Sequence, residues 1–174
     1  TYRLELNEAG TFWYHPHFNA GEQLERGLKG ALIVEESNPL PWSQDVVWLL
    51  DDWRMQKNGK IYPHFNIHPD LMHDGRWGNM ITINGKVQPE ILVSPGERIR
   101  LRLINGANAR IFLHSLQGLS ARVIAVDGRP VSSFFEEGYG SVNLGVQGEI
   151  FSHIHVIAGM EFGATLTYDD VSSQ

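Results

Sequence analysis

Two histidines separated by one residue, His15 and His17, close the aromatic run at residues 10–14. On an extended strand, side chains two residues apart point to the same face, with Cα atoms roughly 6.6 to 6.8 Å apart. Both imidazoles would then face one space, and neutral imidazole is a ligand for copper, zinc, iron and nickel. Taken alone, the pair leaves two interpretations open, a metal site or two half-exposed strand histidines.

Short strands joined by turns would have to position these residues. Glycines and prolines are scattered among short apolar runs, and no segment of useful length has a helical period. This pattern is typical of an all-β chain, and the spacing of the turns predicts a Greek-key β-sandwich. A long irregular loop is expected at 61–79. Strands are predicted at 2–6, 11–18, 31–35, 45–50, 80–84, 91–94, 97–104, 110–114, 121–126, 141–144, 149–157 and 164–168.

The chain is predicted to hold one incomplete domain and one further domain. About three strands precede a proline-containing segment at 37–44, which is typical of a linker. Three strands are too few for a sandwich. Residues 1–36 are therefore predicted to be the C-terminal part of one domain, and residues 45–174 to form a second.

Charge and composition exclude several classes of function. The net charge is −6 and no cluster of lysines and arginines is present, which argues against a nucleic-acid partner. Arg98, Arg100 and Arg102 alternate with apolar residues, so we predict a strand with an apolar inner face and a solvated outer face. No apolar run approaches 18 residues, so no transmembrane helix is expected. The chain has no cysteine, hence no disulfide and no thiolate ligand.

Several motifs in order resemble the multicopper oxidase family of laccase-like and cuproxidase-like enzymes. The segment Gly10-Thr11-Phe12-Trp13-Tyr14-His15-Pro16-His17 is similar to the second His-x-His motif of their first cupredoxin domain, and residues 27–35 to the strand that closes it. The landmarks that resemble the second domain are Asp51-Asp52-Trp53, Gly78-Asn79, Ile83-Asn84-Gly85, residues 96–105, Asn108-Ala109-Arg110 and Asp127-Gly128-Arg129-Pro130.

The resemblance implies a cupredoxin-like fold and a part in copper chemistry. His15 and His17 would each ligate a different copper of the type-3 pair in a trinuclear cluster, and the type-1 copper would lie outside this chain. The implied reaction is one-electron oxidation of phenolic or metal-ion donors coupled to reduction of dioxygen to water. The remaining segments of the oxidase, or a partner chain, would be required, so residues 1–174 alone are predicted to be inactive. A periplasmic or secreted location is expected, although the chain has no signal peptide.

The resemblance leaves alternatives for function and for the other polar residues. A copper-free cupredoxin-like scaffold is the main alternative, and a simple copper-resistance protein is a weaker one. Trp13 shares the face of the histidine pair and would wall the site or pack in a core. His153 and His155, a second His-x-His, are expected to bind no metal, and surface or interdomain packing is expected for the loop histidines. The other assignments are His64, His68 and His73 as loop histidines, His114 as a structural histidine, and Glu22, Glu25 and Arg26 as solvated.

Overall fold

The computed structural model describes residues 3–73, 75–135 and 153–169. Strands dominate, and the helices of this part of the chain have only six and five residues, in agreement with the all-β prediction. The elements in chain order are β1 (Gly10–Tyr14), α1 (Ala20–Glu25), β2 (Gly30–Val34), β3 (Gln44–Trp53), α2 (His68–Met72), β4 (Met80–Ile83), β5 (Arg98–Asn105), β6 (Leu113–Val126), β7 (Arg129–Phe135) and β8 (His153–Asp169).

The strands form two sheets. β1 and β2 pair antiparallel as a two-stranded sheet, and the other strands form a six-stranded sheet in the order β4-β3-β5-β8-β6-β7. β3 and β5 run parallel, with Asp45 opposite Arg100, whereas the other pairs are antiparallel. The two-stranded sheet packs on the larger one through contacts of β1 with β5 and of β2 with β3.

The apolar core lies on one face of the six-stranded sheet. Its members are Trp48, Leu50, Ile83, Leu101, Leu103 and Phe112. The two leucines of β5 alternate with Arg100 and Arg102, which therefore lie on the opposite face. That face was predicted to be solvated, and the prediction is wrong. The two arginines are only 5% and 1% exposed, because the β1–β2 sheet and the segment after β2 cover them.

Turn residues and strand limits were predicted with unequal success. Asn84-Gly85 and Asp127-Gly128 have positive φ at both positions, the backbone of a type I′ turn, and the second of these joins β6 to β7. The predicted break at Gln117-Gly118 is absent: β6 continues through both residues, and its pairing with β8 shifts register between Gln117 and Leu119.

Other limits also differ from the prediction. Residues 3–6 and 91–94 form no strand, β7 and α1 were not anticipated, and α2 occupies part of the loop predicted at 61–79. Predicted strand 141–144 and residues 149–152 lie outside the described residues, and β8 continues through both later predicted strands. No strand lies between β2 and β3, where the linker was predicted, and the division into domains stays a prediction. Within the described ranges, no helix has the length and apolar character needed to cross a membrane.

A buried ion pair fastens two loops to β3. Arg110 Nε donates to Asp52 Oδ2 at 2.9 Å, and both side chains are buried. The same carboxylate accepts the backbone N–H of Gly78, whose carbonyl accepts from Arg110 Nη2 at 2.8 Å. The loop before β4 and the loop after β5 therefore meet at one charge pair.

We expect Asp52→Asn to lower the free energy of unfolding by about 3–5 kcal/mol, because it removes the buried carboxylate charge that Arg110 Nε binds. Glu22→Gln makes the same isosteric change at the surface Glu22–Arg26 pair, where only a small loss is expected because solvent screens these charges. Denaturant unfolding of both variants measures the difference. Equal losses would contradict the role given to Asp52.

Candidate metal centre

The rings of Trp13, His15 and His17 form one continuous stack. The Trp13 and His15 ring centroids are 4.3 Å apart at 25°, and those of His15 and His17 are 5.1 Å apart at 11°. Both imidazoles therefore lie on one face, as the spacing predicted, and Trp13 stacks against them. His15 is half-buried and His17 is exposed, so the stack runs outward from the protein.

The strand that carries these rings ends earlier than predicted. The ladder between β1 and β2 stops at the pair Tyr14–Gly30, so both histidines follow the strand. Pro16 has no N–H to donate to a continuing ladder, which accounts for the end of pairing here. Residues 15–17 therefore extend beyond the sheet. The rings of His15 and His17 still lie on one face, as alternate side chains of β1 do.

A hydrogen bond orients the His15 ring. His15 Nδ1 lies 3.2 Å from the carbonyl oxygen of Pro16. Because a carbonyl oxygen can only accept, Nδ1 must carry the proton, and in a neutral ring Nε2 then keeps its lone pair. Metal-bound histidines commonly donate their second ring N–H to a carbonyl in this way. The His15 ring is thus arranged to offer Nε2 to a metal ion.

An ionic network, here called the arginine cluster, lies at the other end of β1. It comprises Thr11, Glu36, Asp45, Arg100 and Arg102. Arg102 donates to Asp45 at 2.7 and 2.8 Å, and Arg100 also binds this carboxylate. Burial opposes ionisation of Asp45, but the bonds and charges of Arg102 and Arg100 outweigh it and lower its pKa to about 2.

Glu25, predicted to be solvated, is instead 1% exposed, and that prediction is wrong. Its Oε1 accepts the Arg54 backbone N–H at 2.8 Å, and its Oε2 lies 3.3 Å from Arg76 Nε and 3.2 Å from Asn108 Nδ2. The helix α1 turns this side chain toward the loops of the six-stranded sheet. Glu22 and Arg26 stay at the surface, where they pair at 2.8 Å.

The loop histidines His64, His68 and His73 are not brought together as a metal site. His64, His68 and His73 are exposed, and Asp70 binds Arg54 at 3.0 and 3.1 Å. Within residues 3–73, 75–135 and 153–169, no group of three or more His, Cys, Asp or Glu side chains is placed to hold a metal ion. His153 and His155 lie in β8, opposite Ile104 and Arg102 of β5.

Sequence patterns did not predict the buried charges that join α1, β2 and their neighbours to β3. Lys29 Nζ lies 2.6 Å from Asp51 Oδ2 with both side chains buried, and it also donates to the Gly106 carbonyl at 2.7 Å. Burial raises the pKa of Asp51 to about 6, although Lys29 opposes the shift. The sequence did contain a signal for these ion pairs: Asp51 and Asp52 lie in the apolar run of β3, and buried carboxylates need partners.

His114 is a buried side chain at 8% exposure, stacked on Phe112 with ring centroids 6.4 Å apart. Its burial lowers the pKa of the imidazole to about 4. The folded protein therefore binds fewer protons than the unfolded chain between the folded pKa and the ordinary value near 6.5. Stability from this residue is present above that window and is lost as the pH falls through it.

We expect wild-type protein to lose on the order of 3 kcal/mol of unfolding free energy relative to His114→Gln when the pH falls from 6.5 to 4. Glutamine has a similar volume and does not ionise. The effect of pH on the carboxylates is the same in both proteins and therefore cancels in the comparison. Denaturant unfolding of both proteins across this pH range measures the difference. Parallel stability curves would contradict the proposed environment of His114.

Comparison with known proteins identifies the relatives of this chain. A family model of the multicopper oxidases matches residues 44–145, more than half of the chain, and a second multicopper oxidase model matches residues 1–39. Multicopper oxidase mco of Staphylococcus haemolyticus (strain JCSC1435) is 33% identical over 136 residues, which are 74% of this chain and 29% of that protein. A laccase of Cryphonectria parasitica is 32% identical over 140 residues, 77% of this chain and 23% of the laccase.

A solved structure shows the same relationship. The crystal structure of a multi-copper oxidase from Pseudomonas thermotolerans superposes with a TM-score of 0.79 at 29% identity, covering 93% of this chain and 38% of the other. The predicted all-β, cupredoxin-like class is confirmed by this similarity. The chain spans less than a third of the length of the two curated relatives.

Proposed function

Because the chain belongs to the multicopper oxidase family, we propose that it is part of an oxidase and that His15 and His17 bind copper there. The oxidase couples one-electron oxidation of a phenolic or metal-ion donor to reduction of dioxygen to water. In this proposal each of the two imidazoles binds a different copper of the type-3 pair in a trinuclear cluster. The remaining ligands and the type-1 copper come from other segments of the oxidase or from a partner chain.

The ring stack is the observation that carries the proposal. Its two imidazoles lie nearly parallel, 5.1 Å between centroids, and at the exposed end of the stack. The hydrogen bond from His15 Nδ1 to the Pro16 carbonyl leaves Nε2 as the donor atom. Imidazole nitrogen suits copper, so the residues present fit the metal that the family requires.

Copper held here would supply the redox chemistry that protein side chains lack. The chain itself holds and orients two ligands. Trp13 packs on the inner side of the His15 ring and limits its rotation. The Pro16 carbonyl fixes the tautomer, and the end of the β1–β2 ladder lets the histidines project beyond the sheet. His17 is exposed, so the rest of the oxidase can bring further ligands to a copper ion bound there.

We further propose that the oxidase acts in the periplasm or as a secreted protein, on the basis of the resemblance described above. We also propose the predicted domain limits, with residues 1–36 closing a first cupredoxin domain and residues 45–174 forming the second. The β1–β2 sheet supports the first of these assignments, since an isolated two-stranded sheet is marginally stable in water.

In the complete oxidase, we expect the double variant His15→Ala/His17→Ala to lose copper from the type-3 pair while the fold is retained. Each alanine substitution removes one imidazole ligand and leaves the side chains of the core unchanged. Copper per molecule, measured by atomic emission, and the circular dichroism spectrum check the two parts of this expectation.

The matched control is His153→Ala/His155→Ala, which removes a second pair of identical spacing in β8. This variant should keep its copper. Unchanged copper in the His15/His17 variant would favour the copper-free scaffold instead, and copper loss in the control would extend the site to β8.

A further inference from the structure

We propose that Thr11, Arg102 and Asp45 position the copper-binding end of β1, so that the six-stranded sheet sets the orientation of ligands it does not carry. This inference rests on the proposed function of His15 and His17. The three residues touch neither imidazole, and their action on the site passes through the strand.

The contact that joins the two sheets is direct and buried. Arg102 Nη1 donates to Thr11 Oγ1 at 2.6 Å, and the threonine is 0% exposed. The same guanidinium donates from Nε and Nη2 to the two oxygens of Asp45 at 2.7 and 2.8 Å. A guanidinium held by a two-point carboxylate contact has a fixed plane. Arg102 therefore presents Nη1 to β1 at a defined position.

A second contact fixes the other strand of the small sheet. Glu36, two residues after β2, accepts from Arg100 Nη1 at 2.6 and 2.9 Å, and Arg100 binds the same Asp45 carboxylate. Asp45 thus links one arginine that binds β1 to another that binds the segment after β2. The ladder between β1 and β2 makes these two strands move as one unit. The arginine cluster joins that unit to β3 and β5 at two points.

The backbone also approaches closely at this end of β1. A Cβ placed on Gly10 would lie 2.6 Å from the Gly128 carbonyl oxygen, and a Cβ on Gly128 would lie 2.9 Å from the Thr11 carbonyl oxygen. Gly128 has a φ of +73° in the turn between β6 and β7. The start of β1 therefore rests on that turn without intervening side chains.

The anchored face of β1 is the face that carries the ligands. Within the strand, Thr11 and Trp13 point to the same side, and the stack continues this side through His15 and His17. Thr11 and His15 are four residues apart, roughly 13 Å along an extended chain. A tilt of the strand about the buried Thr11 end would therefore be magnified at the imidazoles, which have no ladder of their own to hold them.

The test uses the complete oxidase loaded with copper. Thr11→Val keeps the shape of the side chain and removes the acceptor for Arg102, whereas Thr11→Ser keeps the acceptor. Thr82→Val is the matched control, because Thr82 is equally buried and its Oγ1 accepts from Trp53 Nε1 at 2.7 Å, within the six-stranded sheet. His15→Ala/His17→Ala reports the copper that depends on the two histidines.

Two quantities are measured for each variant: the rate of copper transfer to EDTA and the midpoint of thermal unfolding. Loss of one buried hydrogen bond should lower the midpoint in both Thr11→Val and Thr82→Val, and more in Thr11→Val because its partner is charged. Only Thr11→Val should release copper faster, by about tenfold or more, the scale seen when supporting contacts of metal ligands are removed. Thr11→Ser should restore the wild-type rate.

The outcomes separate this inference from the proposed function. If the His15/His17 variant lacks copper while Thr11→Val releases it no faster than Thr82→Val, the positioning role is overturned and the copper site stands. If the His15/His17 variant keeps all its copper, the proposed function fails and the inference fails with it.

Discussion

The burial of two arginine charges on β5 is the constraint on which the arrangement of this chain depends. A buried guanidinium is unfavourable unless a carboxylate and further acceptors compensate it. Arg100 and Arg102 meet this requirement through one carboxylate, Asp45, which is the direct cross-strand partner of Arg100 in the parallel pair of β3 and β5. The remaining N–H donors of the two arginines bind Thr11 and Glu36. The small sheet must therefore lie on this face to supply these acceptors.

The same principle recurs where α1 and β2 meet the larger sheet. Lys29 reaches Asp51, and Glu25 reaches Arg76 and the backbone of Arg54. These contacts are directional, because buried charges tolerate few geometries, whereas apolar surfaces can slide. A boundary built from them gives less net stability than an apolar one of equal area, but it defines one orientation. The proposed copper role of His15 and His17 requires β1 to hold a defined position, which such a boundary provides.

The parts of the structure that the sequence predicted depend on local chemistry. Asn84-Gly85 and Asp127-Gly128 require positive φ, so their turns could be recognised from dipeptides. The shared face of His15 and His17 follows from strand alternation and persists in their stacked rings. Pro16 could have marked the end of β1, yet the aromatic run suggested a longer strand.

The parts that were missed depend on partners far apart in the chain. The alternation of charged and apolar residues in β5 indicated a solvated face, and contacts with Thr11 and Glu36, 91 and 64 residues away, reverse that conclusion. Glu25 was misplaced for the same reason, since its partners lie in loops after β3 and β5. The long β6 was divided because Gly118 was taken for a turn, whereas the strand continues through it and the pairing with β8 shifts register there. Local pattern cannot report contacts that only the folded chain creates.

The central claim is that His15 and His17 ligate copper from the end of β1. Diffraction from crystals of the copper-loaded complete oxidase, collected on both sides of the copper absorption edge, tests it most directly. We expect two separate anomalous difference peaks, each about 2 Å from a nitrogen of one of the two imidazoles. Copper peaks elsewhere in the molecule, with neither His15 nor His17 within bonding distance of any of them, would contradict the account.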